Sequence, residues 1–167
     1  MSIPDKYVPQ HLTNRDSINQ RKYILRSRKL YKKGKYLERP QVKSYKSKKS
    51  KHINKAIKIY NTENIKPSKE LAEKTQCTVE SLEKIVNKGR GAYYSSGSRP
   101  NQTAESGGIA RLASAITGGN TVFYDFHILD EGCNKKGKAY TLAKRTCKNK
   151  KRCGKYLNRT KKHHIRM

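Results

Sequence analysis

Four cysteines and the histidines near the end of the chain are the residues whose chemistry is easiest to name. Thiolate and imidazole groups are the usual ligands of zinc, and three cysteines with one histidine would complete a tetrahedral site. The candidate ligands are Cys133, Cys147, Cys153 and His163. Their spacing fits no standard zinc module, because the chain has no C-x-x-C pair. His163 also stands beside His164 in a basic run, which is typical of a solvated tail, so we expect no bound metal.

The same cysteines are also candidates for disulfide formation. On the sequence alone two pairings are open, Cys147–Cys153 and Cys133–Cys147, and either one requires an oxidising compartment or a dedicated thiol oxidase. Cys77 falls at a core position of the helical hairpin described below, which predicts a buried thiol. The redox state of the cysteines is therefore left open by the sequence.

A segment rich in glycine, serine and arginine at 88–103 is a second candidate for chemistry. Glycine lets backbone N–H groups converge on an anion, and Arg90 and Arg99 are placed to clamp one. The segment lacks the Gly-Lys-Ser/Thr ending of a P-loop and the spacing of a dinucleotide fingerprint. An ordered loop that hydrogen-bonds its own backbone is therefore the preferred interpretation. Its candidate interaction residues are Lys88, Arg90, Tyr93, Tyr94 and Arg99.

Several classes of protein are disfavoured by the sequence. Acidic residues are few, and no histidine, serine and aspartate stand in a recognisable catalytic motif. We therefore expect neither an enzyme nor a cofactor. No apolar run approaches the roughly 18 residues of a membrane span, and residues 1–17 have no apolar region of the kind that a secretory signal requires.

Charge is the dominant feature of the composition. The chain has 40 Lys+Arg, 12 Asp+Glu, a net charge of +28 and 33% hydrophobic residues, against roughly 45–50% in ordinary globular proteins. Residues 1–60 carry 18 basic and 3 acidic side chains, residues 61–130 carry 8 of each, and residues 131–167 carry 14 and 1. This distribution predicts two cationic arms around a neutral centre. Self-repulsion opposes compactness, so we expect an anionic partner or a larger assembly to contribute to stability.

The N-terminal arm is more than a flexible polycation. Six of the 11 tyrosines lie within residues 1–60, whereas disordered polycations are poor in aromatics. The pattern predicts one helix from Asp16 to about Lys33, followed by Gly34, and a second helix capped by Ser50. Their apolar stripes either pack within the chain or dock on a partner. The interaction candidates in this arm are Arg26, Arg28 and Tyr31.

The neutral centre predicts a small helical domain. Ser68 caps one short helix and Thr78 caps the next, which together form the skeleton of a helix-turn-helix. A further helix begins at Thr103. The β-branched and aromatic segment 121–129 indicates a strand, and extended chain or one short helix stays open because no partner strand is evident. The predicted fold class is thus mainly α, with a small helical central domain and extended, partly helical basic N- and C-terminal arms.

The helical hairpin of the centre has features that disfavour DNA reading. Gln76 occupies the turn position where glycine is usual, and the second helix is predicted to end at Gly89. That helix directs Glu80 and Glu83 toward solvent, where carboxylates would repel phosphate, and it has no arginine to read guanine. A structural hairpin is therefore favoured over a working DNA reader.

Motifs along the chain carry a resemblance to a known family. They are KSKKSKH at 46–52, KPSKEL at 66–71, KGRGAYYSSGSRPNQT at 88–103, ARLASAITGG at 110–119 and HILDEGC at 127–133. Over roughly residues 5–133 the chain resembles an uncharacterised basic domain family of large double-stranded DNA viruses of algae and protists, phycodnavirus-like or mimivirus-like. The 88–119 block is the specific part. The chain departs from the family pattern at Gln76, in place of glycine, and at Gly107, in place of tryptophan.

The resemblance implies a virus-encoded basic protein that is made in the host cytoplasm and packaged in the virion. Within that setting we expect a minor capsid protein on the inner face of the capsid, which bridges major and other minor capsid proteins through its basic arms. The alternative is a nucleic-acid-binding protein that condenses the genome or binds DNA through the hairpin; a ribosomal-protein-like RNA binder is a third class. The arms would also suit viral DNA or an inner membrane surface, and no small-molecule substrate is expected.

Overall fold

The computed structural model describes residues 2–154, and within them the protein is mainly α-helical, as predicted. A short 3-10 helix at Asp5–Tyr7 precedes the α-helices. These are α1 (Asn14–Lys32), α2 (Lys51–Tyr60), α3 (Lys69–Thr75), α4 (Val79–Ser95), α5 (Ala104–Ile116), α6 (Val122–Gly132) and α7 (Lys138–Asn149). Among the described residues, none of these helices has the length and apolar character needed to cross a membrane.

Side-chain caps fix the starts of the helices, as the sequence indicates. Hydroxyl groups accept hydrogen bonds from first-turn amides at five starts: Thr13 from Asp16 N at 3.2 Å, Ser50 from Ile53 N at 3.4 Å, Ser68 from Leu71 N at 3.2 Å, Thr78 from Ser81 N at 3.1 Å and Thr103 from Ser106 N at 3.0 Å. Gly34 follows the C-cap of α1 with a φ of +76°, the left-handed conformation that favours glycine there. Gln76 adopts the same conformation after α3, with a φ of +58°. The turn therefore holds a non-glycine residue in a strained region of backbone space.

The chain forms two compact units whose boundaries differ from the three predicted charge zones. Within the described residues, unit 1 comprises 2–49 and 87–108, and unit 2 comprises 50–86 and 109–154. Helices α4 and α5 each contribute to both units, because the two boundaries fall inside them. Both basic zones thus take part in folded units up to residue 154.

Unit 1 is built on α1. Gln20, Ile24 and Ser27 form the buried stripe of this helix, and Ile24 is fully buried. The Gln20 side-chain amide donates to the backbone carbonyls of Tyr7 and Ser98, at 3.1 and 3.4 Å. A small apolar cluster of Val8, Leu12 and Val42 completes the unit. The stripe of α1 therefore packs within its own unit, and polar groups supply much of the contact.

Unit 2 contains the larger core. Its fully buried side chains include Leu71, Leu82, Ile85, Leu112, Ile116, Phe126, Leu129 and Tyr140. The stripe of α2 joins this core, where the Tyr60 hydroxyl donates to the Ile116 carbonyl, and burial raises the pKa of Tyr60 above its ordinary value. A buried ion pair joins α5 to α6: two nitrogens of Arg111 each lie 2.8 Å from an oxygen of Asp125. The apolar stripe of the basic helix α2 therefore packs inside unit 2.

Two secondary-structure predictions are wrong. The segment predicted as a loop from residue 88 remains helical to Ser95, because α4 continues well beyond Gly89. A Cβ on Gly89 would lie 2.6 Å from Gly108 Cα, so the glycines here allow α4 and α5 to approach closely inside unit 1. The segment 121–129 is helix α6, not a strand. Its buried residues recur at helical spacing, and tertiary packing overrides the β-propensity of its side chains.

The cysteines form two disulfides, Cys77–Cys133 and Cys147–Cys153. The second is one of the two pairings that the sequence left open; the prediction of a free thiol at Cys77 is wrong. Backbone hydrogen bonds bring the first pair together: Thr78 N donates to Gly132 O and Asn134 N to Gln76 O, both at 2.8 Å. The candidate zinc ligands Cys133, Cys147 and Cys153 therefore carry no thiolate. His163 lies outside the described residues, within which no cluster of metal-ligating side chains occurs.

The close approach of α4 and α5 at Gly89 leads to a prediction about stability. Gly89→Ala should lower the free energy of unfolding by about 1–3 kcal/mol, because the added methyl group forces α4 and α5 apart. Gly91→Ala is the matched control in the same helix, where the nearest atom to a new Cβ is Tyr31 Oη at 3.5 Å. This change should raise stability by up to about 1 kcal/mol, because alanine loses less entropy than glycine in a helix. Chemical denaturation measures both, and equal effects would contradict the close crossing.

Candidate functional site

The exposed side of α1 carries a row of cations, which we call the outer face; the exposed Ile18 lies in the gap between its first two members. Its charged residues are Arg15, Lys22, Arg26, Lys29 and Lys33, all exposed. Their spacings of seven, four, three and four residues place them on one side of the helix. At 1.5 Å per residue the outer face is about 27 Å long. It is therefore a rigid row of cations, and not a flexible arm.

The one carboxylate of α1 does not neutralise this row. Asp16 Oδ2 accepts hydrogen bonds from Ser44 Oγ at 2.5 Å and from Ser44 N at 3.1 Å. These bonds hold the pKa of Asp16 below its ordinary value, so the group stays ionised at neutral pH. Ser44 Oγ in turn accepts from Thr13 N at 3.1 Å, next to the start of α1. Asp16 thus ties residue 44 to the helix start, and of the outer face only Arg15 interacts with its charge.

Behind α1, Arg39 is the anchor of unit 1. Its guanidinium donates to Ser27 Oγ at 3.1 Å, to the Tyr93 carbonyl at 2.7 Å and to Ser98 Oγ at 2.8 Å. The guanidinium carbon lies 3.8 Å from the centre of the Tyr93 ring, and the Arg39 backbone N–H donates to Tyr93 Oη at 3.0 Å. Burial lowers the pKa of Arg39 from its ordinary value, and Tyr93 opposes that effect. One side chain therefore connects α1, α4 and the segments that follow each of them.

Three tyrosines form a cluster at the C-terminal end of α1. The rings of Tyr31 and Tyr94 are stacked, with centroids 6.3 Å apart and planes 10° apart. The Tyr36 ring is tilted against both, with centroid distances of 6.0 Å to Tyr31 and 5.0 Å to Tyr94. Burial raises the pKa of Tyr94, and the nearby carboxylate of Glu38 adds to the shift. Tyr36 is 67% exposed, so this tyrosine cluster presents one ring to solvent at the C-terminal end of α1.

All the predicted interaction residues lie in unit 1. Arg26, Lys88 and Arg99 are exposed, and Arg26 belongs to the outer face. Tyr31 and Tyr94, far apart in sequence, are brought into ring contact. The structure therefore joins the candidates of α1 to those of α4 in one region.

Three other candidates have structural partners. Arg90 forms an ion pair with Glu105, with Nε 2.8 Å from Oε2. Arg28 Nε donates to the Ser96 carbonyl at 2.9 Å. Tyr93 is 3% exposed beneath Arg39. These side chains stabilise unit 1. The cations of the outer face, in contrast, are exposed.

A comparison with protein families places the chain. A model described as a family of unknown function (DUF5824) matches residues 4–127, which is most of the sequence. The chain belongs to this family. The matched segment includes the whole outer face, Tyr36 and Arg39, whereas α7 lies beyond it. Searches of curated proteins and of solved structures found no match.

Sequence reasoning missed two residues of this region, Arg39 and Tyr36. Arg39 acts through Tyr93, which is 54 residues away in the chain, so no local motif marks the contact. Tyr36 belongs to a tyrosine-rich arm that the sequence does single out. Its position in the cluster depends on the same long-range packing, so composition alone could identify the arm but not the residue.

The contacts of Arg39 predict the effect of a conservative substitution. Arg39→Lys should lower the free energy of unfolding by about 2–3 kcal/mol, because an ammonium group cannot serve three acceptors in a plane and also stack on Tyr93. Arg26→Lys, on the exposed outer face of the same unit, should change it by less than about 0.5 kcal/mol. Denaturant unfolding compares the two variants, and a similarly small loss in both would show that Arg39 is not an anchor.

Proposed function

We propose that this protein binds nucleic acid through the outer face of α1. The observation that carries the proposal is the row of exposed cations from Arg15 to Lys33 on one rigid helix, with no carboxylate on the same side. Phosphodiester backbones are the polyanions that such a row matches, because they repeat negative charge along a line. The length of the face, about 27 Å, accommodates several consecutive phosphates.

The energetic basis of this binding is the release of counterions. Each phosphate that a lysine or arginine neutralises frees condensed cations, so affinity falls steeply as the salt concentration rises. Within the described residues, no carboxylate lies at salt-bridge distance from Lys22, Arg26 or Lys29. These cations are therefore available to phosphate without breaking an existing pair.

Binding of this kind would be largely independent of base sequence. The α3–α4 hairpin carries Glu80 and Glu83 exposed on the first turns of α4, where phosphate would be repelled. The outer face also has lysine at most of its positions, and lysine contacts phosphate as a point charge. We infer a backbone-binding protein, and not a helix-turn-helix reader of a defined site.

A second candidate is the virion role that the sequence predicts, as a minor capsid component. Two observations favour it. Both disulfides suit a protein that resides in an oxidising setting or leaves the reducing cytosol. Ile18 and Leu25 are 66% and 48% exposed on α1, and phosphate binding makes no use of them. The two roles differ in their salt response, since apolar contacts with capsid subunits survive salt that releases nucleic acid.

Neutralising the outer face tests the proposal. The variant Lys22→Gln, Arg26→Gln, Lys29→Gln should lose most of its affinity for nucleic acid at moderate salt. The slope of log affinity against log salt should become shallower by about 2–3, because up to three phosphate contacts are removed. Fluorescence anisotropy with labelled DNA and RNA oligonucleotides over a salt series measures both quantities.

A matched control has the same charge change at the same helical spacing. Lys51, Lys55 and Lys58 are exposed on α2 at positions i, i+4 and i+7, as are Lys22, Arg26 and Lys29 on α1. Replacing the α2 lysines with glutamine should leave the salt slope nearly unchanged. Equal losses in both variants would show that net charge, and not the outer face, drives binding; no binding by the unmodified protein would refute the proposed function.

A further inference from the structure

Tyr36 is held in a fixed position although most of its ring is in solvent. The Tyr31 and Tyr94 rings support it from within unit 1, at 6.0 and 5.0 Å. Three residues later the backbone is fixed by the Arg39 anchor. A single exposed aromatic residue is ordinary on a protein surface. An exposed ring that is supported on two rings and followed by a half-buried, hydrogen-bonded anchor is preorganised for contact with another flat group.

The charges around Tyr36 indicate what that flat group is attached to. Lys32, Lys33 and Lys35 are exposed in the last turn of α1 and the residues that follow it. Lys33 is also the last residue of the outer face, so the end of the row of cations and the tyrosine ring share the C-terminal end of α1. The opposing charge nearby is Glu38, whose field acts on Tyr94. A ligand that has anionic groups in series and flat aromatic groups beside them matches this arrangement.

Unpaired nucleotides have that combination. Proteins that bind single strands without sequence preference use a cationic surface for the backbone and aromatic side chains on which bases stack. A base in a duplex has its faces covered by its neighbours, so a tyrosine ring cannot stack on it without unstacking the helix. The ring of Tyr36 is therefore useful to a single strand and of little use to an intact duplex.

We propose that the protein prefers single-stranded nucleic acid, with an unpaired base stacked on Tyr36 and the adjoining phosphates on Lys32, Lys33 and Lys35 at the C-terminal end of α1. This inference rests on the proposed function and adds the strandedness of the ligand. DNA and RNA single strands share the chemistry that is recognised, a π-face beside a phosphodiester. Affinities measured in parallel for a DNA strand and an RNA strand show which of the two the protein binds more tightly.

Single-residue variants test the stacking. The probes are oligothymidylate and oligouridylate of about 12 nucleotides, within the range that a single-strand site covers, and a DNA duplex of the same length. The unmodified protein should bind the single strands more tightly than the duplex at equal salt. Tyr36→Ala should weaken single-strand binding by about tenfold and change duplex binding by less than about twofold, while Tyr36→Phe should keep the preference.

Tyr124 provides the matched control, because it is 64% exposed on α6 in unit 2. Tyr124→Ala should leave both affinities unchanged. A thermal melt of each variant checks that it is folded. As a direct readout, a strand containing 5-iodouracil should crosslink to Tyr36 on irradiation, and peptide mass spectrometry identifies the residue.

The outcomes separate this inference from the proposed function. Equal weakening of single-strand and duplex binding by Tyr36→Ala, a loss in Tyr124→Ala of the same size, or a crosslink elsewhere would overturn the stacking. If the glutamine variant of the outer face loses binding while the protein shows no preference for single strands, the proposed function stands and this inference fails. If the protein binds neither probe, both fail.

Discussion

The half-buried guanidinium of Arg39 makes the contacts on which unit 1 depends. Arg39 joins Ser27 of α1, the Tyr93 carbonyl of α4 and Ser98 of the following loop. Taking a cation out of water is costly unless its donors are satisfied. Here neutral oxygens and an aromatic face satisfy them, so the charge is kept without a carboxylate partner. The same contacts fix the segment after α1, and through it the position of Tyr36.

Several acidic residues of the described part of the chain are engaged with specific partners. Glu105 pairs with Arg90, Asp125 with Arg111 and Asp130 with Lys135, and Asp16 holds Ser44. Because these carboxylates neutralise or bind groups that belong to the fold, they do not compensate the cations of the outer face. The excess positive charge is thus concentrated where an external polyanion can reach it. Binding such a partner would also relieve the self-repulsion that a net charge of +28 creates.

Features that depend on neighbouring residues, such as helix caps and turn glycines, could be predicted from the sequence. The caps at Ser50, Ser68 and Thr78 and the glycine after α1 are short-range hydrogen-bond and backbone effects, and they were predicted correctly. Contacts between distant segments were not predictable in this way. Gly89 was predicted to end a helix because glycine often does so. The structural reason for glycine there is the close contact with Gly108 of another helix, which the local sequence does not reveal. The Cys77–Cys133 disulfide joins residues 56 positions apart, and the partners of Arg39 are equally remote.

The central claim is that α1 and the tyrosine cluster form the contact surface for nucleic acid. The competing cationic surface is α7, where Lys138, Arg145 and Lys148 are exposed. Titration of the isotopically labelled full-length protein with a single-stranded oligonucleotide, followed by amide chemical-shift mapping, distinguishes the two most directly. We expect the shifts to concentrate on the exposed side of α1 and at Tyr36. Shifts confined to α7 or α2, with α1 unaffected, would contradict it.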